Sequence, residues 1–321
     1  MSQPKAVVII VNFNGKEDTL KCLESLRQDR YANKEIIVVD NGSSNDSVAA
    51  IRQAHPEAIL LETGGNLGFG GGNNVGIRRA AGADYVYLLN NDTTSEPGAL
   101  SELIRTAQEN PNFGILAPVM HYLAEPEKIW FGGAMFNPKT LEALHDNASP
   151  PDRDDPLREL PWATGCAMLI PAKLITELGG FDERFFLYSE DVDLSLRVRE
   201  AGYKIGLVPA ARIFHKVGAS ARGSPLACYH ALRGRLLMQR LHGGRWWRWN
   251  ACCIALNALR EGARAVRHGR GDFRRSIFPA IAAITDSAKG TRIRPRYAGS
   301  EENKLSVARG REPTKSQTLR P

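Results

Sequence analysis

Eight residues, Tyr85 to Asp92 (YVYLLNND), limit the folds open to this chain more than any other stretch. Five apolar or aromatic residues in a row, entered through Gly82 and Asp84, show no alternation with polar side chains. Neither face of the strand they predict can meet water, so the strand belongs inside a mostly parallel sheet flanked by helices. The run stops in Asn90, Asn91 and Asp92, three oxygen-bearing side chains at the carboxyl end of the strand, where open α/β sheets gather ligands.

The same pattern recurs upstream. An apolar run, Ala6 to Val11, ends in Asn12-Phe13-Asn14-Gly15, and Leu20, Leu23 and Leu26 follow at helical spacing. Glu35 to Val39 ends in Asp40-Asn41-Gly42, with Asp46 placed to cap a helix through Ile51. A short strand, Ile59 to Leu61, precedes the glycine-rich stretch Gly64 to Ala80. Strands alternating with helices in this way predict βαβ units with right-handed crossovers. The oxygens at Asn90 to Asp92 suit a hard divalent cation carrying a diphosphate. Turn formation and helix capping ahead of Glu96-Pro97 account for them equally well. Gly68 to Gly72 is no dinucleotide fingerprint, because Asn73 stands at the third glycine and two βα units come first. Two readings of these glycines stay open: backbone lining a nucleotide, or a helix packed close on the sheet.

The second half differs in character. Gly114 to Val119 predicts another strand, and Asp146 to Pro161, with four prolines, a mobile surface loop. Trp162 to Ile170 predicts a buried strand, and Pro171 opens a helix that Gly179 and Gly180 close. Glu190, Asp191 and Asp193 then fall in the first turn of a helix ending in Arg197 and Arg199, as the macrodipole favours. That explains the acids as ordinary helix charges, but not the run Phe185-Phe186-Leu187-Tyr188 before them. Aromatic side chains against carboxylates desolvate them, which is how a site tunes a base. A strand Ile205 to Val208 leads on to His215, which alone is more often a structural histidine than a ligand.

The chain has 321 residues with 43% hydrophobic content, enough for a proper core. Five cysteines without metal-ligand spacing fit a reducing compartment. The N-terminal apolar run is too short for a signal peptide, and no run reaches the roughly 18 apolar residues of a membrane span. The expectation is a cytoplasmic protein. Through residue 221 the chain holds 21 Lys+Arg against 29 Asp+Glu, net −8, and beyond it 21 against 6, net +15. An acidic body therefore carries a basic end.

Eight motifs in order resemble the family 2 glycosyltransferases of the GT-A fold, in particular bacterial rhamnosyltransferase-like members. They are VNFNG (Val11 to Gly15), VVDNGSSNDS (Val38 to Ser47), GNLGFGGGNNVG (Gly65 to Gly76), LLNND (Leu88 to Asp92), TGCAMLI (Thr164 to Ile170), GGFDERFF (Gly179 to Phe186), SEDVDL (Ser189 to Leu194) and FHKVGAS (Phe214 to Ser220). The resemblance implies a GT-A catalytic domain over residues 1–221, and the residues beyond it predict a basic amphipathic helical region over 222–296 and a disordered polar tail over 297–321.

It also implies roles. Asp40 matches the acid that accepts the N3 hydrogen of a pyrimidine, with Asn12, Asn41, Asn66, Gly70, Asn90 and Asn91 lining the nucleotide. Asp92 matches the last acid of the DxD motif and His215 the histidine that completes the metal site, for Mg²⁺ or Mn²⁺. Asn90 replaces the first acid of that motif, which leaves its contact open. Asp191 matches the general base that deprotonates the acceptor hydroxyl. Trp162, Asp182 and Glu190 fall where the family lines the acceptor and sugar pocket. A helix N-terminus lowers the pKa of Asp191 and neighbouring aromatics raise it, so sequence leaves the sign open.

The implied function is inverting transfer of a sugar, L-rhamnose from dTDP-rhamnose, to a lipid-linked glycan in cell-wall or surface polysaccharide synthesis. Asp40 cannot separate dTDP from UDP, because uracil and thymine share the N3 hydrogen. The rivals are a non-catalytic nucleotide-sugar-binding subunit, opposed by intact Asp92, Asp191 and His215, and nucleic-acid binding by the basic end. The expected partners are the donor, the acceptor and an anionic membrane surface rather than nucleic acid, with homo-oligomerisation left open. Trp246, Trp247 and Trp249 alternate with Arg245 and Arg248, and Cys252, Ala255, Leu259, Ala263 and Val266 make an apolar stripe beside Arg260, Arg264 and Arg267. These predict helices peripheral on the inner face of the cell membrane, with packing of the stripe on the catalytic domain or a second subunit as the alternative.

Overall fold

The computed structural model describes residues 3–217, 225–267 and 278–289, with side chains of 225, 261–267, 278–280 and 287–289 outside the description. The first half is the expected βαβ series. Strands β1 (Ala6–Asn12), β2 (Lys34–Asp40), β3 (Ile59–Glu62) and β4 (Tyr85–Asn90) lie parallel in the order β3-β2-β1-β4. Val86 to Leu89 are buried, as a strand without a polar face requires.

Helices α1 (Lys16–Arg27), α2 (Ser47–Ala54) and α3 (Gly68–Arg79) make the crossovers. α1 turns Cys22, Leu23 and Leu26 inward at helical spacing. Asp46 stands at the N-cap of α2 without a side-chain capping bond; it pairs instead with Lys16 at 3.0 Å. α3 explains its glycines by proximity. A Cβ on Gly72 would come within 2.8 Å of Val11, and one on Gly76 within 2.5 Å of Ile9, so the helix backbone rests directly on β1. Side chains there would overpack the interface at a cost of about 1–3 kcal/mol.

The second half makes the sheet mixed. After β5 (Thr93–Ser95) and α4 (Ala99–Glu109) come β6 (Phe113–Tyr122), β7 (Ile129–Phe131) and a hairpin of β8 (Ala134–Asn137) with β9 (Glu142–His145). β10 (Arg158–Leu160), β11 (Ala167–Pro171), α5 (Ala172–Glu177), α6 (Glu190–Glu200) and β12 (Lys204–His215) follow. β11 runs antiparallel between β4 and β6, and β12 lies parallel to β6. Two expectations are corrected. The segment read as a surface loop ends in β10, which pairs antiparallel with β12, and the strand expected from Trp162 begins only at Ala167.

The basic region is helical: α7 (Pro225–His242), a 3-10 turn (Gly244–Trp246), α8 (Trp247–Arg267) and α9 (Phe278–Lys289). α7 buries Tyr229, Leu232, Leu236 and Met238, and Gln239 donates to the Thr140 carbonyl at 2.6 Å. This helix is packed on the body. The 3-10 turn and α8 differ: Trp246, Trp249 and Leu256 are exposed. Ala263, Val266, Arg264 and Arg267 of the expected stripe lie outside the described side chains. No described helix is long and apolar enough to cross a membrane.

Candidate active site

The carboxyl ends of β1, β2 and β4 open side by side, with Asn12 opposite Asp40 and Val11 opposite Asn90. Asn12 joins them: its amide donates to Asp40 at 2.7 Å and to Ser43 at 3.0 Å, and its carbonyl oxygen accepts from Thr19 at 2.8 Å. Thr19 Oγ1 in turn accepts from Asn91 at 3.0 Å. The Ser43 amide donates to the other Asp40 oxygen at 2.9 Å. Asp40 is only 2% exposed, a buried anchor for the turn at the head of β2. Asn41 spans to the glycine-rich segment, donating to the Gly68 carbonyl at 3.0 Å and to Asn66 at 3.2 Å. Asn12, Asp40, Asn41, Asn66 and Asn91 are thus one hydrogen-bonded floor.

Gly70 lies inside α3, buried, and the place of its missing Cβ is 3.0 Å from the Phe181 Cβ, so close helix packing accounts for the absent side chain.

Asp92 and His215 meet beside this floor. β5 pairs antiparallel with β12, with Thr93 opposite His215, which sets the residue just before β5 against the last residue of β12. Asp92 Oδ1 is 3.2 Å from His215 Nε2, and the Lys216 amide donates to the Asp92 carbonyl at 2.9 Å. The two side chains are 11% and 9% exposed, and His215 Nδ1 is buried without a hydrogen-bond partner among the described residues. The indole of Trp130 stands edge-on to the imidazole, centroids 4.4 Å apart. The sequence assigns Trp130 no role.

A carboxylate oxygen and an imidazole nitrogen converging in a shielded corner fit Mg²⁺ or Mn²⁺ as donors. No group of three potential His, Cys, Asp or Glu ligands occurs among the described residues. The chain therefore offers part of a coordination shell, which suits a cation that also takes substrate phosphate oxygens and water.

Asp191 approaches from α6. Its Oδ2 accepts from the Gly165 amide and its Oδ1 from the Val192 amide, both at 2.9 Å. Gly165 precedes Cys166, whose carbonyl accepts from the Asn90 amide at 2.8 Å. The base candidate is therefore fastened next to the strand end that leads to Asp92. Burial raises the Asp191 pKa and outweighs the two amide bonds, which settles the sign left open by the sequence. Its neighbour Glu190 is 5% exposed with Oε2 unpartnered among the described residues. Burial, then the charges of Asp191 and Asp193, push that carboxyl from 4.5 to about 8. Asp193 is occupied otherwise, bonded to Arg197 Nε and to His242 Nε2 at 2.8 Å each.

Two pocket assignments fare differently. Trp162 is 4% exposed, its indole N–H donating to the Met135 carbonyl at 2.9 Å and its ring among Phe131 and His145. It supports the β8–β9 hairpin from within and offers no open face to an acceptor. Asp182 is half-buried and bonded to Arg184 Nε through both oxygens at 2.9 Å. Burial would raise its pKa, but the Arg184 bonds prevail and lower it.

Residues 7–165 match the model of glycosyl transferase family 2. The N-acetylglucosaminyl-diphospho-decaprenol L-rhamnosyltransferase of Mycobacterium tuberculosis is 30% identical over 268 residues, 75% of this chain and 86% of that one. The chain belongs to glycosyl transferase family 2. Solved structures agree with this family 2 enzyme in fold. GalNAc-T7, solved with UDP, GalNAc and Mn²⁺, superposes with a TM-score of 0.63 at 14% identity, over 89% of this chain and 55% of that one. The Pyrobaculum calidifontis mannosyltransferase PcManGT, in complex with GDP-Man and Mn²⁺, gives 0.54 at 17% identity over 92% and 82%. The glycosyltransferase is thus an α/β protein of GT-A type, with its polar strand ends gathered at one edge of the sheet.

Proposed function

We propose that this glycosyltransferase moves L-rhamnose from dTDP-rhamnose, with inversion and with a divalent metal, to a lipid-linked glycan in cell-wall or surface polysaccharide synthesis. The observation that carries the reading is the convergence of Asp92 and His215, with Asp191 fastened beside the same strand end. The floor of Asn12, Asp40, Asn41, Asn66 and Asn91 binds the nucleotide. Asp92 and His215 hold the cation, which when bound neutralises charge on the departing nucleoside diphosphate. Asp191 takes the proton of the acceptor hydroxyl as it attacks from the side opposite the diphosphate, which inverts the anomeric centre. A raised pKa suits that step, because a base titrating nearer neutral pH accepts the proton more readily.

The mycobacterial relative is by name an L-rhamnosyltransferase acting on a sugar diphospho-lipid, which supports both the donor sugar and a lipid-linked acceptor. Exposed Trp246 and Trp249, with Arg245 5.1 Å over the Trp246 ring, support contact with an anionic membrane surface.

The test is nucleoside diphosphate release from purified protein given dTDP-, UDP- and GDP-sugars with Mn²⁺ or Mg²⁺. Fastest release from dTDP-rhamnose, abolished by EDTA, is expected. A faster UDP-sugar would reassign the donor, and no release from any donor, even with a lipid diphosphate acceptor, would overturn the proposal.

A further inference from the structure

We infer that α7 is a positioning strut for the catalytic base, with His230, Arg233 and Gly234 as its contact face; this rests on the reading of Asp191 as the base. The three residues recur at i, i+3 and i+4, so they share one face of the helix. That face meets residues 184–189, the segment leading into α6 and Asp191. Arg233 donates from Nη1 to the carbonyl of Arg184 and, at 3.3 Å, to that of Phe185. The imidazole of His230 stacks on the Phe186 ring, centroids 4.9 Å apart and planes 19° from parallel. Gly234 lies so close that a Cβ would come 2.7 Å from the Tyr188 carbonyl and 2.9 Å from Ser189 Oγ.

The segment needs such support. Phe186, Tyr188 and Ser189 have φ of 65°, 67° and 73°, a left-handed conformation that non-glycine residues adopt only when their surroundings enforce it. From one side α3 enforces it: the Phe69 amide donates to the Phe186 carbonyl at 2.7 Å, and a Cβ on Gly68 would stand 2.3 Å from that oxygen. From the other side α7 completes the clamp. Ser189 immediately precedes α6, and its carbonyl accepts from the Asp193 amide at 2.9 Å. A shift at Ser189 therefore turns the first residues of α6, and Asp191 with them.

The chemistry of the strut favours this role over plain core packing. Arg233 is 6% exposed, and no carboxylate among the described residues forms an ion pair with it. Burying a guanidinium without a counter-charge is unfavourable unless strong acceptors satisfy it, and the two segment carbonyls are such acceptors. His230 is fully buried with neither ring nitrogen bonded to a described residue, and burial lowers its pKa to about 4. It stays neutral at working pH, an aromatic plate against Phe186.

The experiment compares kcat and donor KM for Arg233→Ala, Gly234→Ala and Asp191→Asn, with thermal melting of each. Arg233→Ala should lower kcat roughly 10- to 100-fold with donor KM unchanged, the scale of a misplaced catalytic group. Added guanidinium ion should restore part of that rate. Gly234→Ala improves helix propensity, so it should stay folded while losing kcat through the push on Tyr188 and Ser189. In the Asp191→Asn background, Arg233→Ala should cost no more than about twofold, because both act through one carboxylate. Wild-type kcat in folded Arg233→Ala and Gly234→Ala would overturn the strut while leaving the base reading intact, as would a fully additive loss in the double variant. Wild-type kcat in Asp191→Asn would overturn the base reading, and the strut with it.

Discussion

Asp92 and His215, far apart in sequence, stand 3.2 Å apart because the three-residue strand β5 turns back to pair with the end of β12. The short strand is the means of assembly. Thr93, just after Asp92, is opposite His215, and Thr93 Oγ1 donates to the Asn90 carbonyl at 2.6 Å, which holds the turn that carries Asn91 and Asp92. A corner built this way is set by backbone pairing rather than by long side chains that would otherwise have to span the gap.

Asp191→Asn should reduce kcat by roughly 10² to 10⁴ with donor affinity nearly unchanged, since a general base acts in the transition state. Asp193→Ala should instead act on folding, because it strips Arg197 and His242 of a shared buried acceptor at a cost of about 1–3 kcal/mol. Steady-state kinetics and thermal melting of the two variants separate the roles. A dead, fully stable Asp193 variant beside an active Asp191 variant would move the base two residues along α6, to Asp193.

Glu190 gives a pH signature in stability. Its carboxyl titrates at about 8 in the fold against 4.5 unperturbed, so between those values the native state holds a proton that the unfolded chain has released. Stability should therefore fall as pH rises through this window. Glu190→Gln, neutral at every pH, should flatten the slope and make the protein more stable at alkaline pH. Urea denaturation from acid to alkaline pH reads both, and an unchanged slope in the variant would contradict the assignment.

Trp246→Ser with Trp249→Ser should abolish sedimentation with anionic vesicles while leaving turnover on a soluble acceptor unchanged. The two indoles are 59% and 70% exposed, so the fold loses little when they go. Removing the whole chain beyond residue 225 would not serve, because α7 is packed against the catalytic body. Undiminished vesicle binding by the double variant would place the membrane contact elsewhere.

Local patterns made much of this legible. The all-apolar run to Leu89 gave a doubly buried strand, and the polar residues after β1, β2 and β4 gave the ligand edge. The strand end pointed to Asp92, and motif resemblance gave roles to Asp92, His215 and Asp191. Distances through space were not legible. The Phe181 side chain fills the room beside Gly70, and the β8–β9 hairpin covers Trp162. Arg233 belongs to the basic end, and the fold buries it against backbone carbonyls that no pattern of residue types records. Trp130, edge-on to His215, carried no chemical signal that would distinguish it from a core aromatic.

The central claim is that Asp92 and His215 hold one divalent ion beneath the donor diphosphate, and calorimetric titration of dTDP with and without Mn²⁺ tests it most directly. The account expects tight binding to the wild-type protein only with Mn²⁺, and a loss of that metal-dependent gain in Asp92→Ala and His215→Ala while both remain folded. Equal Mn²⁺-dependent affinity in the wild-type protein and both variants would contradict it.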